Sequence, residues 1–134
     1  INNLTSITCW GTGKPLREFM HVDDLGEAVK FVLERWDPPL NKDLSNKKNT
    51  NFFLNVGTGK EISIKDLAYK IASIVGYKGD INWDNTKPDG TPRKLMDVSK
   101  INDLGWSANI SLNEGIIQTL DEFKKETKNN TLRI

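Results

Sequence analysis

The chain has 134 residues, of which 37% are apolar and 28% are charged, which is the composition of one ordinary globular domain. Its 19 Lys and Arg nearly balance its 18 Asp and Glu, so charge alone excludes a general affinity for nucleic acid or for an anionic membrane. One Cys and one His exclude a disulfide framework and a Cys/His zinc cluster, and we expect no metal site. The sequence has no apolar run long enough to cross a bilayer and no recognisable targeting segment, and its low Cys content favours the cytoplasm.

The first part of the chain predicts two extended segments followed by a helix. Residues 5–10 are a strand candidate, a loop with Gly and Pro follows, and residues 17–22 return to an extended pattern. Apolar residues then recur at i, i+3, i+4, i+7, i+8 and i+11 over residues 25–36, which predicts an amphipathic helix. We expect residues 23–24, both Asp, to cap this helix and the prolines at 38–39 to end it.

The remainder predicts alternating short strands and helices. The predicted segments are an exposed loop at 41–51, a buried strand at 52–56, a helix from Ser63 to a stop at Gly76, a strand at 81–83, a loop at 87–94, a helix at 97–104, and a last helix after a capping box at Ser111 and Glu114. The charged tail from Lys124 is expected to fray. The alternation indicates an α/β fold, although the strands are few and short for an independent doubly wound sheet.

The segment from Trp10 to Arg17 contains the parts of a nucleotide site. Gly11 and Gly13 allow a ligand to approach the backbone closely. Trp10 offers a flat apolar face, and Arg17 offers a fork of donors that matches phosphate oxygens. The alternative interpretation is a core Trp and a surface Arg beside a tight turn, and the residues alone leave both interpretations open.

The predicted loop at residues 87–94 is a second candidate. It contains three cations, one carboxylate and two prolines. Arg93 and Lys94 are suited to neutralising a diphosphate, and Asp89 is suited to accepting hydrogen bonds from a base edge or from sugar hydroxyls. Charged loops are usually just solvated, but a merely solvated loop has no need of two stiffening prolines.

Three other features are weaker candidates. Residues 55–59, NVGTG, lack both the three-Gly spacing of a dinucleotide fingerprint and the ending of a P-loop, so they predict a tight turn. Cys9 is expected to be a small buried residue near a strand end. His21 is expected to be a structural His tied to a nearby carboxylate or backbone group. We assign a catalytic role to neither side chain.

Two segments resemble shared motifs of the extended short-chain dehydrogenase/reductase family. Residues 17–25, REFMHVDDL, look like the family's Arg-x-[Phe/Tyr]-x-x-Val-x-Asp segment. Residues 55–59 followed by residues 63–67, SIKDL, look like its second shared segment. These two motifs alone fit many nucleotide-sugar epimerases, dehydratases and reductases.

Further motifs narrow the resemblance to the GDP-L-fucose synthase family. The motifs are WGTG at 10–13, KPDGTPRKLMD at 87–97, GYKG at 76–79 and LGW at 104–106. That family epimerises carbons 3 and 5 of GDP-4-keto-6-deoxy-D-mannose and then reduces its C4 ketone with NADPH. The resemblance implies that Trp10 packs near the guanosine, that Arg17 and Lys94 hold the diphosphate, and that Asp89 contacts the nucleotide.

The resemblance also implies what this chain lacks. The Gly-rich cofactor fingerprint, the Tyr-x-x-x-Lys pair and the epimerisation Cys and His of the family are not found in it. We therefore expect residues 1–134 to be a C-terminal nucleotide-sugar-binding domain, a small mixed α/β domain without the N-terminal Rossmann domain that binds NADP. The chain begins with Ile1, as an interior piece of a larger protein would. Alone it is expected to be inactive, with no catalytic, cofactor-binding or metal residues, and its expected partners are a GDP-sugar, the missing domain and, as in the family, a second subunit.

Other interpretations remain open. The chain is alternatively the equivalent domain of a UDP- or dTDP-sugar epimerase or dehydratase, against which the loop at 87–94 argues. It is alternatively a non-catalytic nucleotide-binding module, because a fold does not fix a function. A nucleic-acid binder is disfavoured by the balanced charge and the lack of a basic stripe.

Overall fold

The computed structural model describes residues 4–38 and 53–131. The predicted loop at 41–51, the first residue of the predicted strand at 52–56, and the second proline of the expected helix stop lie outside the described residues. The elements in chain order are β1 Ser6–Trp10, β2 Leu16–Glu18, α1 Val22–Arg35, β3 Glu61–Ser63, α2 Ile64–Val75, β4 Asp80–Asp84, β5 Arg93–Lys94, α3 Ser99–Asp103 and α4 Leu112–Asn129. The expected α/β class is confirmed.

The strands form two small sheets. β1 and β4 pair in parallel, from Ser6 opposite Asp80 to Trp10 opposite Asp84. In the second sheet β2 is central, antiparallel to β3 and parallel to β5. Because β1 and β4 are parallel, their C-terminal ends meet at one edge, and the loops that leave them start side by side.

α1 begins differently from the prediction. Its N-cap is His21, whose Nδ1 accepts the backbone N–H of Asp23 at 3.3 Å. The expectation that Asp23 and Asp24 cap α1 is therefore wrong, although both lie in its first turn. Asp24 is only 4% exposed and accepts the backbone N–H groups of Asn109 at 3.1 Å and Ile110 at 2.9 Å. Its carboxylate therefore ties α1 to the segment before α4, a long-range contact that local rules do not contain.

The predicted starts and stops of the later helices are confirmed. Ser63 caps α2 through the N–H of Asp66, and Gly76 ends α2 in the left-handed conformation. Ser111 and Glu114 form the predicted reciprocal capping box of α4.

Three predicted segments were wrong in whole or in part. Residues 53–56 form no strand; they pack instead beside α3, where the Asn55 side chain donates to the Asp97 carbonyl at 3.0 Å. The end of the predicted loop at 87–94 forms β5, because β2 offers it a parallel partner. The tail does not fray at Lys124, since α4 continues to Asn129 and ends on Asn130 in the left-handed conformation.

The core of the described residues is small, and one side of α1 is left bare. Ala28, Val98, Ile101 and Trp106 form the buried cluster. On another side of α1, Leu33 is 81% exposed, and it continues a stripe of exposed apolar residues at Val22, Leu25 and Val29. We call these four residues the α1 stripe. Burying such a stripe is the usual reason for an amphipathic helix, and no described residue buries it.

Candidate functional site

Trp10 presents an open ring at the edge where β1 and β4 end. It is the last residue of β1 and is 74% exposed. The Asp84 carbonyl accepts both the Gly11 N–H at 3.0 Å and the Lys87 N–H at 3.1 Å, so the two outgoing loops leave from one point. The Lys87 ammonium lies 5.5 Å from the centroid of the Trp10 ring, within cation–π range. An exposed aromatic face beside a cation is suited to an anionic, flat ligand such as a nucleotide.

Asp89 is bound to Thr12 of the neighbouring loop. Its Oδ1 accepts the Thr12 N–H at 2.8 Å, and its Oδ2 accepts the Thr12 hydroxyl at 2.6 Å. These two hydrogen bonds lower the pKa of Asp89 below its ordinary value of 3.8, and the bond from the hydroxyl has the larger effect. Gly11 makes the contact possible, because a Cβ there would clash with Oδ1 of Asp89. Asp89 is therefore a charged, oriented carboxylate near Trp10.

Arg17 and Lys94 lie opposite each other in β2 and β5. Residues paired in this way share a face of the sheet, so the two cationic side chains leave from the same side. Nη1 of Arg17 donates to the Leu16 carbonyl at 2.6 Å. A Cβ on Gly90 would lie 3.0 Å from Nη2 of Arg17, so the loop backbone next to Asp89 packs on the guanidinium. Among residues 4–38 and 53–131, neither Arg17 nor Lys94 forms an ion pair.

The four predicted site residues thus lie on adjoining elements. Trp10 ends β1, Asp89 lies in the loop that starts beside Trp10, and that loop passes over Arg17 and reaches Lys94 in β5. Arg93, the other cation predicted to neutralise a diphosphate, donates from its Nε to Glu61 at 2.8 Å, so its charge already has a partner within the chain. The hydrogen bond to Glu61 and the charge of Glu61 raise the pKa of Arg93 above its ordinary value.

The turn at residues 57–59 does not fit a phosphate of NADP or of any other ligand. The Gly59 N–H donates to Oε1 of Glu18 at 2.6 Å, and the Thr58 hydroxyl reaches the same oxygen at 3.3 Å. A Cβ on Gly57 would clash with the same carboxylate. An internal anion fills the position that a phosphate would need, so the prediction of a structural turn is confirmed.

Cys9 and His21 are not brought together as a catalytic pair. Cys9 lies in β1 opposite Trp83 and is half-buried rather than fully buried. His21 caps α1, and its Nδ1 also lies 3.6 Å from a carboxylate oxygen of Asp23. The structural part expected for His21 is confirmed.

Sequence reasoning missed two residues of the site. Thr12 was treated only as part of a loop, and its partner is 77 positions away, so no local pattern points to it. Lys87 was counted as a cation, but its position over Trp10 depends on the β1–β4 pairing.

No helix among the described residues has the length and hydropathy needed to cross a membrane. The part of the chain that the structure describes also contains no group of three or more His, Cys, Asp or Glu arranged to hold a metal ion.

Comparison with known proteins shows which proteins this α/β chain is similar to. Residues 1–46 match the sequence model of the NAD dependent epimerase/dehydratase family. GDP-L-fucose synthase 1 of Arabidopsis thaliana is 44% identical over 96% of this chain and 36% of its own length. GDP-L-fucose synthase of Escherichia coli (strain K12) is 43% identical over 90% of this chain and 37% of its own length.

A solved structure gives the same result at the level of the fold. The crystal structure of a GDP-6-OMe-4-keto-L-xylo-heptose reductase from C. jejuni has a TM-score of 0.81 and 39% identity, covering 91% of this chain and 34% of that one. The resemblance to extended short-chain dehydrogenase/reductases, and within them to GDP-L-fucose synthase, is confirmed. The chain spans about a third of the length of these relatives.

Proposed function

We propose that this chain is the GDP-sugar-binding part of a GDP-L-fucose synthase. The complete protein converts GDP-4-keto-6-deoxy-D-mannose to GDP-L-fucose by epimerisation at carbons 3 and 5 and NADPH-dependent reduction at C4. The observation that carries the proposal is the placement of Trp10, Asp89, Arg17 and Lys94 on adjoining elements, on a chain 43% to 46% identical to proteins with that name.

The four residues divide the nucleotide between them. Trp10 stacks on the guanine or packs near the guanosine, since its ring is open on one face and steadied by Lys87. Asp89 accepts hydrogen bonds from the nucleoside. Arg17 and Lys94 hold the diphosphate, where a fork of donors and a point charge suit phosphate oxygens. Binding energy from the unreactive GDP then positions the hexose for a reaction at its far end.

The reaction itself is assigned to residues outside this chain. We propose that the catalytic Cys, His, Tyr and Lys and the NADP site belong to an N-terminal Rossmann domain of the same protein, so that this chain alone is inactive. The turn filled by Glu18 supports this division, because it offers no phosphate site. We further propose that the protein acts in the cytoplasm and that its complete form is a homodimer, as the family resemblance implies.

The α1 stripe is the proposed contact with that missing domain. Val22, Leu25, Val29 and Leu33 leave a continuous apolar side of a 14-residue helix exposed. Exposed patches of this kind mark interaction surfaces. About two thirds of each relative lies outside the matched region, which is ample chain to cover the stripe.

Two other functions are alternatives, and the first of them has specific support. A GDP-heptose reductase matches the fold at a TM-score of 0.81, and the proposed site touches the GDP and not the sugar, so a different GDP-hexose or heptose is the second candidate. A UDP-sugar enzyme is the third, and it predicts a preference for UDP over GDP.

Calorimetric titration of GDP and UDP, with Arg17→Ala and Arg93→Ala alongside, tests the proposal. We expect GDP to bind preferentially and Arg17→Ala to weaken it by about ten- to a hundredfold, the size of a lost charge-assisted contact. Arg93→Ala is the matched control and stays within about twofold, because Glu61 already pairs that charge. The titration is run on the protein as its gene encodes it and on the 134-residue chain. Tighter binding of UDP than of GDP by the encoded protein would contradict the assignment.

A further inference from the structure

Thr12 makes both of its available donors bind one carboxylate. Its N–H and its hydroxyl bind the two different oxygens of Asp89, at 2.8 and 2.6 Å. The hydroxyl oxygen in turn accepts the Lys14 N–H at 3.2 Å. Because an ionised carboxylate can only accept hydrogen bonds, the Thr12 hydroxyl proton is directed toward Asp89, and the chain of hydrogen bonds runs from Lys14 through Thr12 to Asp89.

We propose that Thr12 is a positioning residue of the nucleotide site, which fixes the plane and direction of the Asp89 carboxylate so that its outward lone pairs meet the nucleoside. This inference rests on the proposed function, in which Asp89 contacts the nucleotide. It adds Thr12, a residue that does not itself touch the ligand. Thr12 determines how well the Asp89 carboxylate binds the nucleoside.

The chemistry of the carboxylate explains why two bonds are needed. An ionised carboxylate has about four lone-pair positions. Thr12 occupies one on each oxygen of Asp89, which leaves one on each oxygen for ligand donors. The last torsion of an Asp side chain is broad and roughly two-fold, so a single bond would leave the plane free to turn. Two bonds from one residue remove that freedom before the ligand arrives, which lowers the entropy lost on binding.

The surroundings of Thr12 and Asp89 support a positioning role for Thr12. Gly11 has φ +80° and leaves the space that Oδ1 of Asp89 occupies. Asp89 lies in an exposed loop, and holding an exposed loop in place would not by itself require a bond to each oxygen. The hydrogen-bonded edge thus faces the chain, and the other edge is left for a ligand.

The test is a double-mutant cycle on GDP binding, measured by calorimetry in the protein as its gene encodes it. Its variants are Thr12→Val, which keeps the N–H bond and the shape but loses the hydroxyl, Thr12→Ser, Asp89→Asn and Thr12→Val combined with Asp89→Asn. Thr127→Val, a remote Thr that bonds its own helix, is the matched control. Melting temperatures are recorded for every variant, so that a loss of folding is separated from a loss of binding.

We expect Thr12→Val to weaken GDP binding about five- to tenfold, the equivalent of one hydrogen bond, with Thr12→Ser restoring most of the affinity. In the Asp89→Asn background, Thr12→Val should add less than about twofold, since Thr12 acts through Asp89. Thr12→Val with unchanged GDP affinity, or effects that multiply in the double variant, would overturn the inference while leaving GDP binding in place. Failure of the unmodified protein to bind GDP would overturn the proposed function and this inference together.

Discussion

The carboxylate of Glu18 accepts the backbone N–H of Gly59 at 2.6 Å, although the two residues are 41 positions apart. Its other oxygen accepts the Met96 N–H at 3.0 Å. One side chain at the end of β2 therefore fastens both the Gly turn before β3 and the segment after β5. The turn looks like a phosphate loop in sequence because it presents N–H groups to an anion, and that anion belongs to the protein itself.

Replacing Glu18 by Gln should destabilise the fold by about 1–2 kcal/mol, because an amide has one acceptor where two N–H groups need one each. Urea unfolding followed by circular dichroism measures the change. Glu122→Gln is the control, since that carboxylate makes only an exposed pair with Lys125 and should change stability by less than about 0.5 kcal/mol. Equal effects of the two variants would contradict the conclusion that the Glu18 carboxylate stabilises the fold through its two backbone hydrogen bonds.

Substitution of Asp24 should lower the free energy of unfolding much more than substitution of its neighbour Asp23. Asp24→Ala leaves two backbone N–H groups without their acceptor, those of Asn109 and Ile110, and should cost about 2–3 kcal/mol. The Asp23 side chain is 73% exposed, and Asp23→Ala should cost less than about 1 kcal/mol. Both are measured by denaturant unfolding. A tolerated Asp24→Ala would mean that the two N–H groups find other partners.

Thr12→Val should raise the pKa of Asp89 toward its ordinary value of 3.8, because it removes the larger of the two contacts that favour the charged form. With the folded pKa below 3.8, the stabilising contribution of Asp89 is complete above that value and is lost as the pH falls through the folded pKa. The stability difference between the unmodified protein and Thr12→Val should therefore be constant near neutral pH and shrink below pH 3.8.

Carbon-detected NMR titration of the Asp89 carboxyl group checks the direction of this shift. Asp97 provides an internal control, because Ser99, and not Thr12, lowers its pKa. A pKa of Asp89 that stays low in Thr12→Val would assign the shift to some other group.

Substitution of Trp10 should weaken GDP binding, whereas substitution of Trp106 should lower stability. Trp10→Leu should weaken GDP binding about fivefold or more, the equivalent of one lost base–aromatic stack, and should leave the melting temperature nearly unchanged because the ring is exposed. Trp106 is in the buried cluster, and Trp106→Leu should cost about 2–4 kcal/mol of stability. Loss of stability in Trp10→Leu would restore the alternative that Trp10 is a structural residue.

A charge placed in the α1 stripe should affect stability in the complete protein but not in the 134-residue chain. Leu33→Lys should leave the 134-residue chain as stable as before and make it more soluble, because it removes exposed apolar area. In the complete protein it should cost about 2 kcal/mol or more, since a charge would enter a buried contact. Glu34→Lys, at the adjacent exposed position, should be neutral in both. A neutral Leu33→Lys in the complete protein would argue that nothing covers the stripe.

The elements that sequence predicted well are those whose signals are local. The helix from Ser63 to Gly76 and the capping box at Ser111 depend on hydrogen bonds across three or four residues, and both are present as expected. Trp10, Arg17 and Asp89 are candidates because a ring, a fork of donors and a carboxylate are chemically distinctive, but the residues alone leave a structural interpretation open. The family resemblance supplies their roles, and their joint use for GDP stays a proposal.

The failures concern contacts between distant parts of the chain. Asp24 looked like a helix cap because nothing local reveals Ile110, 86 positions away, as its partner. The sequence predicts a loop where β5 forms, because a two-residue strand exists only by pairing with β2. Residues 53–56 have the apolar pattern of a strand, but a strand needs a neighbour, and no described element pairs with them.

The hydrogen bonds that hold the loop at residues 87–94 affect how fast a nucleotide should bind. Thr12 holds the loop at Asp89, and Glu18 holds the chain just beyond its end at Met96. A loop already held at both ends does not have to close over an arriving nucleotide. Association should then be a single encounter whose rate depends on diffusion and on attraction by Arg17 and Lys94, so that added salt slows it and no slower second phase follows.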